Sequence, residues 1–134
     1  MLNPENITQE TYESVIKDVG QVARDPNEVA NQLREISALY GYYYGIMIKA
    51  KRFLDSSEDA LENYKASART AKRSEGVKLT AVAAEDYVQS LDVTRELIEE
   101  VRRLKESYGY AKGICSTLEM KKDMLVQLSA NSRQ

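Results

Sequence analysis

Between residues 29 and 71, side chains suited to a helix seam recur at alternating steps of three and four. They are Val29, Leu33, Ile36, Tyr40, Tyr43, Met47, Ala50, Leu54, Ser57, Leu61, Tyr64, Ala68 and Ala71. A spacing near 3.5 residues places them all on one stripe of a single long α-helix. No proline interrupts the run, which predicts a rod about 65 Å long at ~1.5 Å rise per residue. A second seam follows a short polar break: Tyr87, Leu91, Thr94, Ile98, Val101, Leu104, Tyr108, Ala111, Cys115 and Leu118. Two such rods joined by a short turn must fold back on each other. The expectation is an all-α chain: a long antiparallel, coiled-coil-like hairpin with a shorter N-terminal helix.

Local signals set the boundaries. The first helix is expected from about residue 8 to 23, capped by Asn6 or Thr8, with Tyr12, Val15, Ile16 and Val19 on its apolar face. Asp25-Pro26 is a cap followed by a proline suited to the first helical position, with Glu28 three residues after the cap. A second helix from about 26 to 74 follows. The turn is expected over 75–79, where Gly76 supplies a backbone that accepts positive φ. Thr80 caps a third helix that runs to about 128, with 129–134 frayed. The 134 residues predict one helical domain over 1–134. Folding near Gly76 or Val77 sets residue i opposite about 154 − i, so Tyr43 is expected near Ala111.

Composition narrows the function. There is no histidine, and Cys115 is the lone cysteine. No disulfide framework and no usual zinc site is expected, and no cofactor. No catalytic motif is present, and Glu96, Glu99 and Glu100 sit among Arg95, Arg102 and Arg103 as solvated ion pairs. A non-enzymatic role is expected. The start, MLNPENITQE, lacks the apolar core of a secretion signal. The apolar window from Ile36 to Ile48 is too short to span a bilayer. The expectation is a protein without membrane segments, cytoplasmic in location.

The apolar surface exceeds what a two-helix hairpin buries. Leu39, Tyr42, Ile46, Ile48 and Phe53 lie off the main seam, as do Leu97, Ile114 and Met124 on the third helix. The first helix can cover part of this. The remainder predicts a homo-oligomer, with Tyr42, Ile46, Phe53, Ile114, Leu118 and Leu125 as its contact residues. Gly41 and Gly45 are expected level with Gly109 and Gly113, which suggests close backbone approach there.

The charge pattern is uneven. Residues 63–78 hold Lys65, Arg69, Lys72, Arg73 and Lys78 against Glu75, a local +4 in a chain whose net charge is −2. Lys65, Arg69, Lys72 and Arg73 share one helix face, with Tyr64 beside them. Cations along a stripe bind phosphates, and a nearby aromatic ring can stack on an unpaired base. These six residues, Tyr64 included, are the candidate nucleic-acid site.

Short segments add a resemblance. They are Tyr40 to Lys51, Lys65-Ala-Ser-Ala-Arg69, Lys78-Leu-Thr80-Ala-Val-Ala-Ala, Asp86-Tyr-Val88, Asp92-Val93, and Gly113-Ile-Cys115 before Met120 to Leu125. In this order, over about residues 38–125, the chain resembles the UvsY recombination mediators of T-even-type bacteriophages. The resemblance implies single-stranded DNA binding, a ring-like homo-oligomer, and loading of a RecA-type recombinase onto DNA coated by a single-strand-binding protein. It implies a host bacterial cytoplasm as the location. It also implies a DNA-contacting role for the stretch containing Lys65 and Arg69. The alternative from another class is a coiled-coil adaptor or assembly protein that binds only protein partners.

Overall fold

The computed structural model describes residues 2–76 and 78–132. Every regular element among them is helical: α1 (Gln9–Val19), α2 (Pro26–Ser74), α3 (Ala81–Ser90) and α4 (Asp92–Ser132). None of these helices is long and apolar enough to cross a membrane.

The caps explain most boundaries. Thr8 starts α1, its hydroxyl accepting from the Thr11 amide at 3.2 Å. Asp25 starts α2 by accepting from the Glu28 amide at 2.9 Å, with Pro26 in the first turn. Glu28 in turn accepts from the Arg24 amide, one residue before the cap. The result is a variant of the capping box that satisfies two orphan amides. Helix α2 ends at Ser74, and Gly76 takes φ +84°. Val77, expected within the turn, lies outside the described residues.

Two helix boundaries depart from expectation. The first helix stops at Val19 rather than about residue 23. The chain beyond it is held differently: the Lys121 ammonium donates to the Gln21 carbonyl at 2.6 Å. Pro26 also disfavours helical backbone at the residue before it. The expected single helix over 80–128 is two helices. Leu91 has ψ 137°, outside the helical region. Ser90 donates its hydroxyl to the Tyr87 carbonyl at 2.6 Å, and the Leu91 amide closes a tight turn on the Val88 carbonyl at 3.2 Å. The Leu91 carbonyl then accepts the first bond of α4, from Arg95 at 3.2 Å. Helix α4 continues to Ser132, past the expected end at 128; Arg133 and Gln134 lie outside the described residues.

The long helices pack with rising α2 numbers against falling α4 numbers. The Tyr40 hydroxyl donates to Glu119, Ile46 packs with Ala111, and Leu54 packs with Val101 and Leu104. The two rods therefore run antiparallel, close to the expected register. Tyr43 packs against the cluster that contains Ile114.

Helix α1 and the segment before it cover the end of this pair remote from Gly76. Tyr12, Val15, Ile16 and Val19 pack on the buried cluster of Val29, Ile36, Ile114, Leu118 and Leu125. Ile7 is buried with Ile46 and Ala111. This corrects the expected contact residues. Ile114, Leu118 and Leu125 are fully buried, and Ile46 is nearly so, all within one chain. The surplus stripe on α4 is a site for α1. Tyr42 and Phe53 remain about two-fifths exposed, and the Tyr42 hydroxyl accepts from the Leu2 amide at 3.3 Å.

The glycine expectation also changes. A methyl group added at Gly41, Gly45 or Gly109 meets nothing within 4 Å. These glycines do not mark close backbone approach. Gly113 does face a neighbour, but it is the Tyr12 ring of α1, whose nearest carbon is 3.0 Å from the added position.

Candidate nucleic-acid interface

The basic residues lie on the last three turns of α2 and in the turn beyond it. Helix α2 is continuous through this stretch, so Lys65, Arg69, Lys72 and Arg73 keep the shared face that their spacing requires. Across from them stands α3. Thr80 caps it, accepting from the Ala83 amide at 3.1 Å, and Ala84 and Val88 are buried. Helix α3 brings Glu85 and Tyr87 to the cationic face.

Glu85 is the residue that sequence reasoning missed. Arg69 Nη2 lies 2.8 Å from Glu85 Oε2, and Lys65 Nζ lies 3.9 Å from Glu85 Oε1. Lys65 also lies 4.0 Å from Glu62, and its side chain is only 13% exposed. The Gln89 amide donates to Glu85 at 3.0 Å. The Gln89 bond, followed by the Arg69 bond, holds the Glu85 carboxyl below the usual carboxylate range. Hydrogen bonds and cations both favour the charged form. The signal was available: a register of 154 − i sets Arg69 opposite residue 85.

The other four candidates divide. Lys72 pairs with Glu75 at 3.4 Å and sits over the Tyr87 ring, 5.0 Å from its centre. The ring face attracts the ammonium and is thereby covered on that side. Tyr64 is half-buried on the α2 seam. Arg73 and Lys78 are exposed and flank a shallow concavity with Gly76 and Leu79. Among the described residues no carboxylate pairs with either of them. The structure thus brings Lys65, Arg69 and Lys72 together under α3, and sets Arg73 and Lys78 outward at the turn.

The charge asymmetry survives the addition of α3. Residues 63–91 carry five cations against Glu75, Glu85 and Asp86, a net +2, which leaves −4 for the rest of a chain at −2. The net charge therefore changes sign between this end and the rest of the chain. The Glu85 pairs are part-buried on the cation side, with Lys65 13% and Arg69 30% exposed, so the carboxylate competes directly with any phosphate for these two cations.

No other chemistry gathers here. Among the described residues no three histidine, cysteine, aspartate or glutamate side chains cluster as a metal site. Cys115 is buried against the α2–α4 core, and burial pushes its thiol up from its ordinary range. No family model, curated protein or solved structure matches this chain.

Proposed function

We propose that this protein is a non-catalytic, single-stranded-DNA-binding accessory factor of recombination that works as a homo-oligomer. The observation that carries the binding is the +2 end of an otherwise acidic rod, with Arg73 and Lys78 exposed at its tip. Three cations that Glu85 does not hold, namely Lys72, Arg73 and Lys78, bind weakly in one chain. Several tips on one strand gain through effective concentration. Exposed Leu39, Tyr42, Tyr44, Ile48 and Phe53 on α2 supply apolar surface for assembly. Loading of a RecA-type recombinase onto strands coated by a single-strand-binding protein comes from the resemblance to the phage mediators.

The test is fluorescence anisotropy with a labelled single-stranded oligonucleotide over a salt series. Binding should weaken with salt at a log–log slope of about 2 per engaged protomer through Lys72, Arg73 and Lys78, and of about 3.5 where Lys65 and Arg69 also meet phosphate, at ~0.7 per contact on a single strand. A protein-only adaptor is the second reading. One observation favours it: Glu85 already pairs with both Lys65 and Arg69. It predicts no binding at any salt concentration.

A further inference from the structure

Two cations one helical turn apart converge on a single carboxylate. Arg69 addresses Glu85 Oε2 at 2.8 Å and Lys65 addresses Oε1 at 3.9 Å. That is an anion subsite with an occupant. A guanidinium recognises a carboxylate and a phosphodiester in the same way, through oxygens that accept in its plane. The occupant belongs to a short helix that non-helical backbone sets apart from the rods and that docks on them through buried Ala84 and Val88. Helix α3 spans Ala81–Ser90, between Gly76 at φ +84° and the non-helical Leu91 at ψ 137°. Its polar hold on α2 consists of the Glu85 pairs and the Lys72–Tyr87 contact.

We propose that Glu85 stands in for a backbone phosphate, and that single-stranded DNA displaces it from Lys65 and Arg69 and releases α3 from α2. This rests on the nucleic-acid reading above and deepens it. Glu85 is a positioning residue: it keeps the two side chains pointed at one anion and keeps the site closed to weaker ones. The exchange replaces one charge-assisted pair with another of the same geometry, and the Glu85 side chain, 45% exposed, leaves the site open to the strand. The strand also brings further phosphates to Arg73 and Lys78, with release of their counterions.

The experiment compares Glu85→Gln with Glu96→Gln, which removes the same charge from an exposed position on α4. Gln keeps the shape of the side chain, and circular dichroism checks folding. Glu85→Gln should bind a labelled oligothymidylate roughly two- to tenfold tighter than the unmutated protein, as the Glu85 carboxylate ceases to compete for Lys65 and Arg69. Its salt slope should match that of the unmutated protein, because Lys65 and Arg69 meet phosphate in both complexes and the counterions released are those of the strand. Adding Lys65→Ala and Arg69→Ala to Glu85→Gln should erase the gain. Equal gains from Glu85→Gln and Glu96→Gln would overturn the assignment in favour of bulk charge. Hydrogen exchange on the unmutated protein needs no variant: α3 amides should exchange faster when the oligonucleotide is bound. Unchanged protection of α3 on binding would overturn its release. If no variant binds the oligonucleotide, the nucleic-acid reading falls, and sodium triphosphate replaces it as the probe. Tighter triphosphate binding by Glu85→Gln than by Glu96→Gln would then retain the anion subsite, and equal binding would remove it.

Discussion

Ser107 holds Ile7 across the molecule: its hydroxyl oxygen accepts from the Ile7 amide at 2.9 Å and donates to the Pro4 carbonyl at 2.8 Å. Ser107 is buried, and Arg103 adds a bond to the Glu5 carbonyl. One side chain on α4 therefore satisfies two backbone groups of the N-terminal segment. Replacing Ser107 with Ala leaves both groups without that partner, at a cost of about 1–3 kcal/mol. A lower denaturant midpoint with faster amide exchange near Ile7 is the expected result. Unchanged exchange at Ile7 would show that the segment is held by apolar contact alone.

The covered stripe on α4 separates stability from assembly. Leu118 is fully buried beneath α1. Leu118→Ala should destabilise the chain by about 2–5 kcal/mol in chemical denaturation. Phe53 is 39% exposed, so Phe53→Ala should cost much less in the same measurement. It should instead lower the mass found by light scattering if the α2 surface mediates assembly. A monomeric mass for the unmutated protein at micromolar concentration would refute assembly.

The glycines give a contrast in sign. Gly41 and Gly109 face open space on helices, so alanine at either should stabilise by roughly 0.5–1 kcal/mol through helix propensity. At Gly113 the added carbon meets the Tyr12 ring at 3.0 Å, and that ring packs on Tyr110 with centres 5.3 Å apart. Gly113→Ala should gain less than Gly109→Ala, or lose stability. Thermal melts of the three variants decide it, and a larger gain at Gly113 would contradict the Tyr12 placement.

Tyr40 donates to Glu119 Oε1 at 2.7 Å. That bond, ahead of burial and the Glu119 charge, pushes the Tyr40 hydroxyl up to about 12. A pKa raised in the folded state means stability that is complete below the ordinary value near 10. It is lost as pH rises through about 12. Tyr40→Phe should therefore reduce the loss of stability between those values. Tyrosinate absorbance should show one phenol fewer titrating late. A lost phenol that had titrated in the ordinary tyrosine range would remove the bond.

The legible parts of this fold are those written in local pattern. Asp25-Pro26 and Gly76 mark their boundaries because caps and positive φ need particular residue types. The seam from Val29 onward gives the length of α2. The break at Leu91 was hidden because Leu91 continues the seam spacing; the competing backbone bonds of Ser90 were its faint signal. The role of α1 over Ile114 and Leu118 was missed because an apolar stripe does not name its partner. At the candidate site, Lys65 and Arg69 were legible as a basic face, while Glu85 needed the register across the turn. Ser107 had no local signal, since its partners lie about 100 residues away.

The most direct measurement is the affinity of two double variants for a labelled single-stranded oligonucleotide across a salt series. One replaces Arg73 and Lys78, the exposed cations at the turn, with alanine. The other replaces Arg95 and Arg102, which lie beside Glu96 and Glu99 on α4. The first should lose most of the binding and flatten the log–log salt slope by roughly 1.4 per engaged protomer. The second should bind like the unmutated protein. Equal losses from the two pairs, or no binding by the unmutated protein, would contradict a DNA site at the turn.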